Sequence, residues 1–208
     1  MSNNSISVVH NGIIENYAEL KHEQIKQGYK FSSETDTEVI AHAIDFSMKS
    51  SNSLLEAVQK TLKTLHGSYG LGIISSNHPH KLIAARKGCP LLIGIAKNGN
   101  YTASDQMALL SVTKEFIFLE DGDIAELELK IVNIYDKNGN KVSRPTHKSK
   151  LKEGQVDLGK YKHFMQKEIF EQPQAIRDTL ESRITNDEVL VSAFGYQANT
   201  IFKKIKQV

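Results

Sequence analysis

An α+β fold built on a largely antiparallel sheet is what the sequence predicts. Two observations carry this. Apolar residues between positions 16 and 65 recur at helical spacing behind capping signals, and from Ser68 onward the period shifts to short strands separated by turn signals. Helices and strands that come in runs and do not strictly alternate argue against a parallel βαβ sheet. Length agrees: 208 residues, 39% of them hydrophobic, suffice for a core and exclude a disordered or collagen-like chain.

Taken in order, Ile6 to His10 is a short apolar strand ending at Asn11-Gly12, a pair that favours a tight turn. Asn16 then caps a helix, with Glu19 three residues on, Tyr17 and Leu20 on one face and Gly28 beyond its end. Thr35 to Glu38 reads as a capping box ahead of the stripe Val39, Ile40, Ala43, Ile44 and Met48. Ser53 and Glu56 repeat the device before Leu55, Val58, Leu62 and Leu65. Seven strands are predicted next, over 68–75, 81–86, 91–96, 101–103, 116–119, 124–129 and 131–135. Polar residues 143–160 form a linker or an extended crossing segment. A helical face at Tyr161, Phe164, Met165 and Ile169 is interrupted by Pro173 and resumes at Ala175, Ile176 and Leu180; Phe202 and Ile205 close one more helix.

Composition excludes several classes. Residues 1–140 carry 13 basic and 16 acidic groups and residues 141–208 carry 13 and 8, an asymmetry too mild to indicate a nucleic-acid partner. A single cysteine rules out an internal disulfide framework and any metal site made of cysteines alone. No apolar run approaches the ~20 residues that span a bilayer, and the first five residues lack the basic and apolar regions of a signal peptide. A cytoplasmic protein without a membrane partner is the expectation.

Each candidate site has a plain reading beside a chemical one. Asn11 and Gly12 supply a turn, or an amide and an adjacent N–H converging on one oxygen as an oxyanion hole. Asp36, at the first turn of the helix capped by Thr35, complements the helix dipole or holds a substrate ammonium. Cys89 has no local base beyond Lys87 and reads as a structural thiol rather than a nucleophile. His78 and His80 share a turn without a third ligand. The glycine-rich run 67–72 lies between helix and strand, the reverse of the order that a phosphate loop needs. Neither a metal nor a cofactor is indicated.

Several segments together resemble one family. Val8 to Tyr17, Ser33 to Ile40, Gly67 to Gly70, Ala84 to Leu91, Ala103 to Gln106 and Phe116 to Asp123 are similar, in order and spacing, to the class II glutamine amidotransferase half of glutamine–fructose-6-phosphate aminotransferases. Tyr161 to Pro173, with its Met-Gln-Lys-Glu-Ile run, resembles the segment joining that half to a sugar-isomerase half. The resemblance implies a partial Ntn-hydrolase sandwich, helix, sheet, sheet and helix in layers, lacking its N-terminal strands and followed by linker helices. Residues 1–142 would be the later part of the amidotransferase domain, and 143–208 a linker and helices leading to an absent isomerase domain. It further implies hydrolysis of glutamine by an N-terminal Cys, transfer of ammonia to fructose 6-phosphate to give glucosamine 6-phosphate, and a homodimeric complete enzyme. Asn11 and Gly12 match the oxyanion-hole pair and Asp36 the carboxylate holding the glutamine α-amino group. The Cys nucleophile and the Arg-Trp-Ala-Thr-His loop have no counterpart among these residues, so the chain reads as cut from something longer and inactive alone. The alternatives are a non-catalytic remnant that binds a partner or regulates, and a hydrolase using Cys89.

Overall fold

The computed structural model describes residues 5–150, 158–181, 183–185, 188–195 and 197–205. They fall into two compact units, Met1–Gln155 and Val156–Val208.

The first unit opens with β1 (Ile6–Ile14), then α1 (Tyr17–Lys26), α2 (Thr37–Met48) and α3 (Leu54–Leu62). Seven strands follow, β2 (Gly67–Ser75), β3 (Leu82–Lys87), β4 (Leu92–Ala96), β5 (Gly99–Ala103), β6 (Glu115–Phe118), β7 (Ile124–Leu127) and β8 (Val132–Tyr135), within a residue or two of the expected spans. Two further short strands, β9 (Lys141–Val142) and β10 (Thr146–Lys148), and a 3-10 turn at Gln106–Leu109 carried no sequence signal. β10 lies inside the polar segment 143–160 and pairs with β6, so this stretch crosses as an extended strand; residues 151–157 of that segment lie outside the described residues.

Every named strand pair is antiparallel, in two sheets ordered β1-β2-β3-β7-β8-β9 and β10-β6-β4-β5. Strand alternation separates the cores. Ile83 and Ala85 of β3 join Leu71, Ile73 and the buried faces of α2 and α3, whereas Ala84 joins Ile93, Ile117, Leu119 and Ala125 between the sheets. The layers therefore run helices, first sheet, second sheet, with Leu110 closing over Leu92 and Phe116 beyond. This is the helix–sheet–sheet part of the expected α+β sandwich.

Three local expectations give way to longer-range bonds. β1 does not stop at Asn11-Gly12 but runs on to Ile14, because β2 pairs with it along its whole length, Ile6 opposite Ser75 and Ile14 opposite Gly67. Asn16 makes no capping bond; its amide donates to the Thr64 carbonyl and its oxygen accepts from His66 N–H, tying the start of α1 to the α3–β2 connection. Thr35 is not the cap of α2 either: Asp36 holds that position, and Glu38 turns back to Ser32 and Ser33. The Ser53 cap forms as expected, accepting from Glu56 N–H at 3.1 Å.

The second unit contains α4 (Phe164–Leu180) and α5 (Ala198–Phe202), with a 3-10 turn at Val191–Phe194 between them. α4 is one continuous 17-residue helix despite Pro173, which costs it one backbone bond without ending it. No residue of α4 is buried.

Candidate functional site

β1 carries the first two candidates, and its parity decides what each can do. Val9, Asn11 and Ile13 share the face turned toward the second sheet; Val8, His10, Gly12 and Ile14 share the face turned toward the helices. The second sheet does not reach over this edge, leaving Val9 71% and Ile13 66% exposed, with Asn11 exposed between them. The Asn11 amide is thus free to meet a ligand.

Gly12 is required by its surroundings. Its φ of 131° lies where L side chains are strained, and a Cβ there would stand 2.1 Å from the Ser68 carbonyl oxygen of β2. The Asn-Gly pair serves a close approach of two strands and not the turn its composition suggests.

Asp36 reaches the same strand from the start of α2. Its Oδ2 accepts the Ile14 N–H at 2.8 Å, and its Oδ1 lies 3.7 Å from His10 Nδ1. The carboxylate therefore bridges positions 10 and 14, on either side of Asn11-Gly12. The His10 side chain is 2% exposed, its Nδ1 is 3.1 Å from Thr37 Oγ1, and its buried Nε2 has no hydrogen-bond partner among the described residues. Burial pushes the His10 imidazole below its ordinary pKa, against upward pulls from Asp36 and the Ser68 backbone, so the ring is neutral near pH 7. A neutral ring leaves Asp36 Oδ1 without a cationic partner at hydrogen-bond distance, able to receive one.

The structure thus sets Asp36 against the strand that carries Asn11 and Gly12, and places His10 and Thr37 beside it, two residues that sequence reasoning missed. The signal that could have found them is parity: a strand continued through Gly12 puts His10 and Ile14 on the face that a helix covers. Cys89 is half-buried in the bend after β3, over Gly70, the register partner of Asn11. Among the described residues, no side chain hydrogen-bonds its thiol. His78 is partly buried and His80 exposed, in a turn; no group of three or more His, Cys, Asp or Glu able to hold a metal occurs among the described residues. The run 67–72 lies within β2, as a strand and not a loop.

Residues 1–111 match the family profile described as a glutamine amidotransferase domain, more than half of the chain. The chain belongs to that family. Among its relatives are glutamine–fructose-6-phosphate aminotransferases (isomerizing) from Haemophilus influenzae and Pseudomonas putida, each 50% identical over 207 residues. One from Vibrio vulnificus is 48% identical over 203 residues. The alignments cover 98–100% of this chain and 33–34% of those proteins, so the chain spans about a third of the length of the curated relatives it matches. A solved structure of glutamine phosphoribosylpyrophosphate amidotransferase from B. subtilis, complexed with ADP and GMP, covers 73% of the chain at 26% identity and a TM-score of 0.49, and 31% of that structure is matched. No helix among the described residues of this amidotransferase domain is long and apolar enough to cross a membrane.

Proposed function

We propose that this chain supplies the oxyanion-hole and substrate-ammonium part of a glutaminase. The ammonia it releases would pass, in a longer enzyme, to fructose 6-phosphate to make glucosamine 6-phosphate. The observation that carries the reading is the Asp36 bridge: one carboxylate held by Ile14 N–H and beside His10, flanking Asn11-Gly12. The 50% identity to about a third of an aminotransferase of this kind supports the substrate assignment.

Asn11 Nδ2 and Gly12 N–H would stabilise the oxyanion formed when a nucleophile attacks the glutamine carboxamide, while Asp36 Oδ1 accepts from the α-ammonium. The nucleophile comes from outside these 208 residues, as an N-terminal Cys whose α-amine acts as base. The proposed complete enzyme is a homodimer carrying a sugar-isomerase domain, it works in the cytoplasm, and the 208-residue chain alone is inactive. In the complete enzyme, Asn11→Ala should lower glutamine hydrolysis by about 10²–10³ in kcat, the usual cost of one oxyanion donor. Unchanged turnover by ammonia release would remove Asn11 from the chemistry.

The second reading, a non-catalytic binding module, is favoured by the exposed apolar face of Val9, Ile13 and Ile74. It predicts that a longer chain restoring a Cys terminus still releases no ammonia.

A further inference from the structure

A second concavity lies across the helix-facing side of the first sheet. It encloses about 410 Å³ between α3, the ends of β2 and β3, and the turns before β7 and after β8. Tyr69 lines it while only 4% exposed, and among the described residues nothing hydrogen-bonds its hydroxyl. Its hydroxyl keeps contact with solvent, so a ligand can reach it. Lys63, Lys87 and Lys137 line the same space, and among the described residues none of the three is engaged in an ion pair or side-chain hydrogen bond. Lys137 is set in place by Gly122, whose φ of 87° and missing Cβ let the lysine stem lie across it.

Of the two acidic residues present, Asp136 is committed to its own turn, accepting from the N–H groups of Asn138 and Asn140. Asp121 accepts Gly88 N–H through one oxygen, leaving the other available. Leu62, Leu65 and Ile124 form an apolar floor. Three lysines without an ion pair among the described residues, an accessible phenol, one spare carboxylate oxygen and an apolar wall are the elements that recognise a small hydroxylated phosphate.

We propose that this cavity binds a phosphate monoester of a small polyol or sugar. The lysines and the Tyr69 hydroxyl hold the phosphate, and Asp121 accepts from a ligand hydroxyl. The phenol is a donor at neutral pH: burial, aided by the Asp121 charge, pushes its pKa up to about 12. This proposal stands apart from the glutaminase reading, since no residue of the Asn11, Gly12 and Asp36 constellation enters it.

The test is calorimetric titration of the full 208-residue chain with glycerol phosphate, and with glycerol, inorganic phosphate and sulfate as separate probes. Saturable binding of glycerol phosphate tighter than about 1 mM is expected, with inorganic phosphate weaker and glycerol silent. Lys87→Gln and Lys137→Gln, both on exposed stems, should each weaken binding about tenfold. Tyr69→Phe should weaken it by a similar factor while the melting temperature of the ligand-free chain stays put. Absence of saturable binding, or lysine variants that bind as the parent does, would overturn the proposal. Sulfate binding as tightly as glycerol phosphate would overturn its organic part.

Discussion

Asp36 is the residue on which the site reading turns, and its two oxygens have separate tasks. Oδ2 belongs to the fold through Ile14 N–H, and Oδ1 is available to substrate. Asp36→Asn keeps an acceptor for Ile14 but removes the charge. In a complete enzyme the KM for glutamine should rise about 10- to 100-fold, the worth of a charge-assisted bond, while the melting temperature falls by no more than about 2–4 °C. A lower melting temperature with an unchanged KM would leave Asp36 a purely structural role. Cys89→Ser makes the complementary case: with no side chain among the described residues bonded to its thiol, turnover should stay within about twofold of the parent, under ~0.5 kcal/mol of barrier. Loss of turnover in a folded variant would restore Cys89 as a nucleophile. The identities of Asn11, Gly12 and Asp36 were legible through motif resemblance, but their geometry was not. Asn-Gly is a turn signal locally, and only a partner strand some 57 positions away, with Ser68 pressed against Gly12, makes it part of a strand.

At the scale of elements, the sequence marked the helices and most strands, and erred where distant partners outcompeted neighbours. Asn16, Thr35 and Glu38 all fit capping motifs, yet Asn16 is recruited by Thr64 and His66 and Glu38 by two serines in the α1–α2 connection. Such contests are invisible in a window of four residues. β9 and β10 were missed because two or three residues are too few to show a period. The Glu38 cluster has a measurable consequence. Burial alone would raise its pKa, but hydrogen bonds from the Ser33 and Ser32 hydroxyls and N–H groups prevail and draw it down to about 2 from 4.5. A folded-state pKa below the unfolded one stabilises the protein above pH 4.5, and that contribution fades as pH falls toward about 2. Urea midpoints measured across that window should show an acid loss of stability that Glu38→Gln reduces. A variant with the same pH slope as the parent would remove Glu38 as its source.

For the molecule as a whole, the defining feature is an open sheet edge. β1 is an edge of the six-stranded sheet: among the described residues no strand pairs with its outer side, where Ile14 N–H is taken by Asp36, and Val9, Ile13 and Ile74 expose apolar side chains beside it. An edge nine residues long with an apolar face is a template for association. The chain alone should therefore self-associate at micromolar concentration, and Val9→Lys with Ile13→Lys should shift it toward monomer in sedimentation velocity. A parent chain that sediments as a monomer throughout would show the edge to be harmless. The α+β class with its largely antiparallel sheet was readable from periodicity and the sandwich from the resemblance, whereas the uncovered edge was not, since no sequence pattern reveals which faces the second sheet fails to reach.

The pairing of β1 with β2 also sets an order of events. Their register closes a loop through residues 15–66, with α1, α2 and α3 inside it, whereas β2 and β3 are joined by a short turn. Closing the longer loop costs more chain entropy and comes late in topologies of this kind. Gly12 and its close contact with Ser68 would then belong to the final stage of folding and the earliest stage of unfolding. The segment proposed to hold the oxyanion would be the first to lose its geometry under stress, while the helices and the inter-sheet core remain intact.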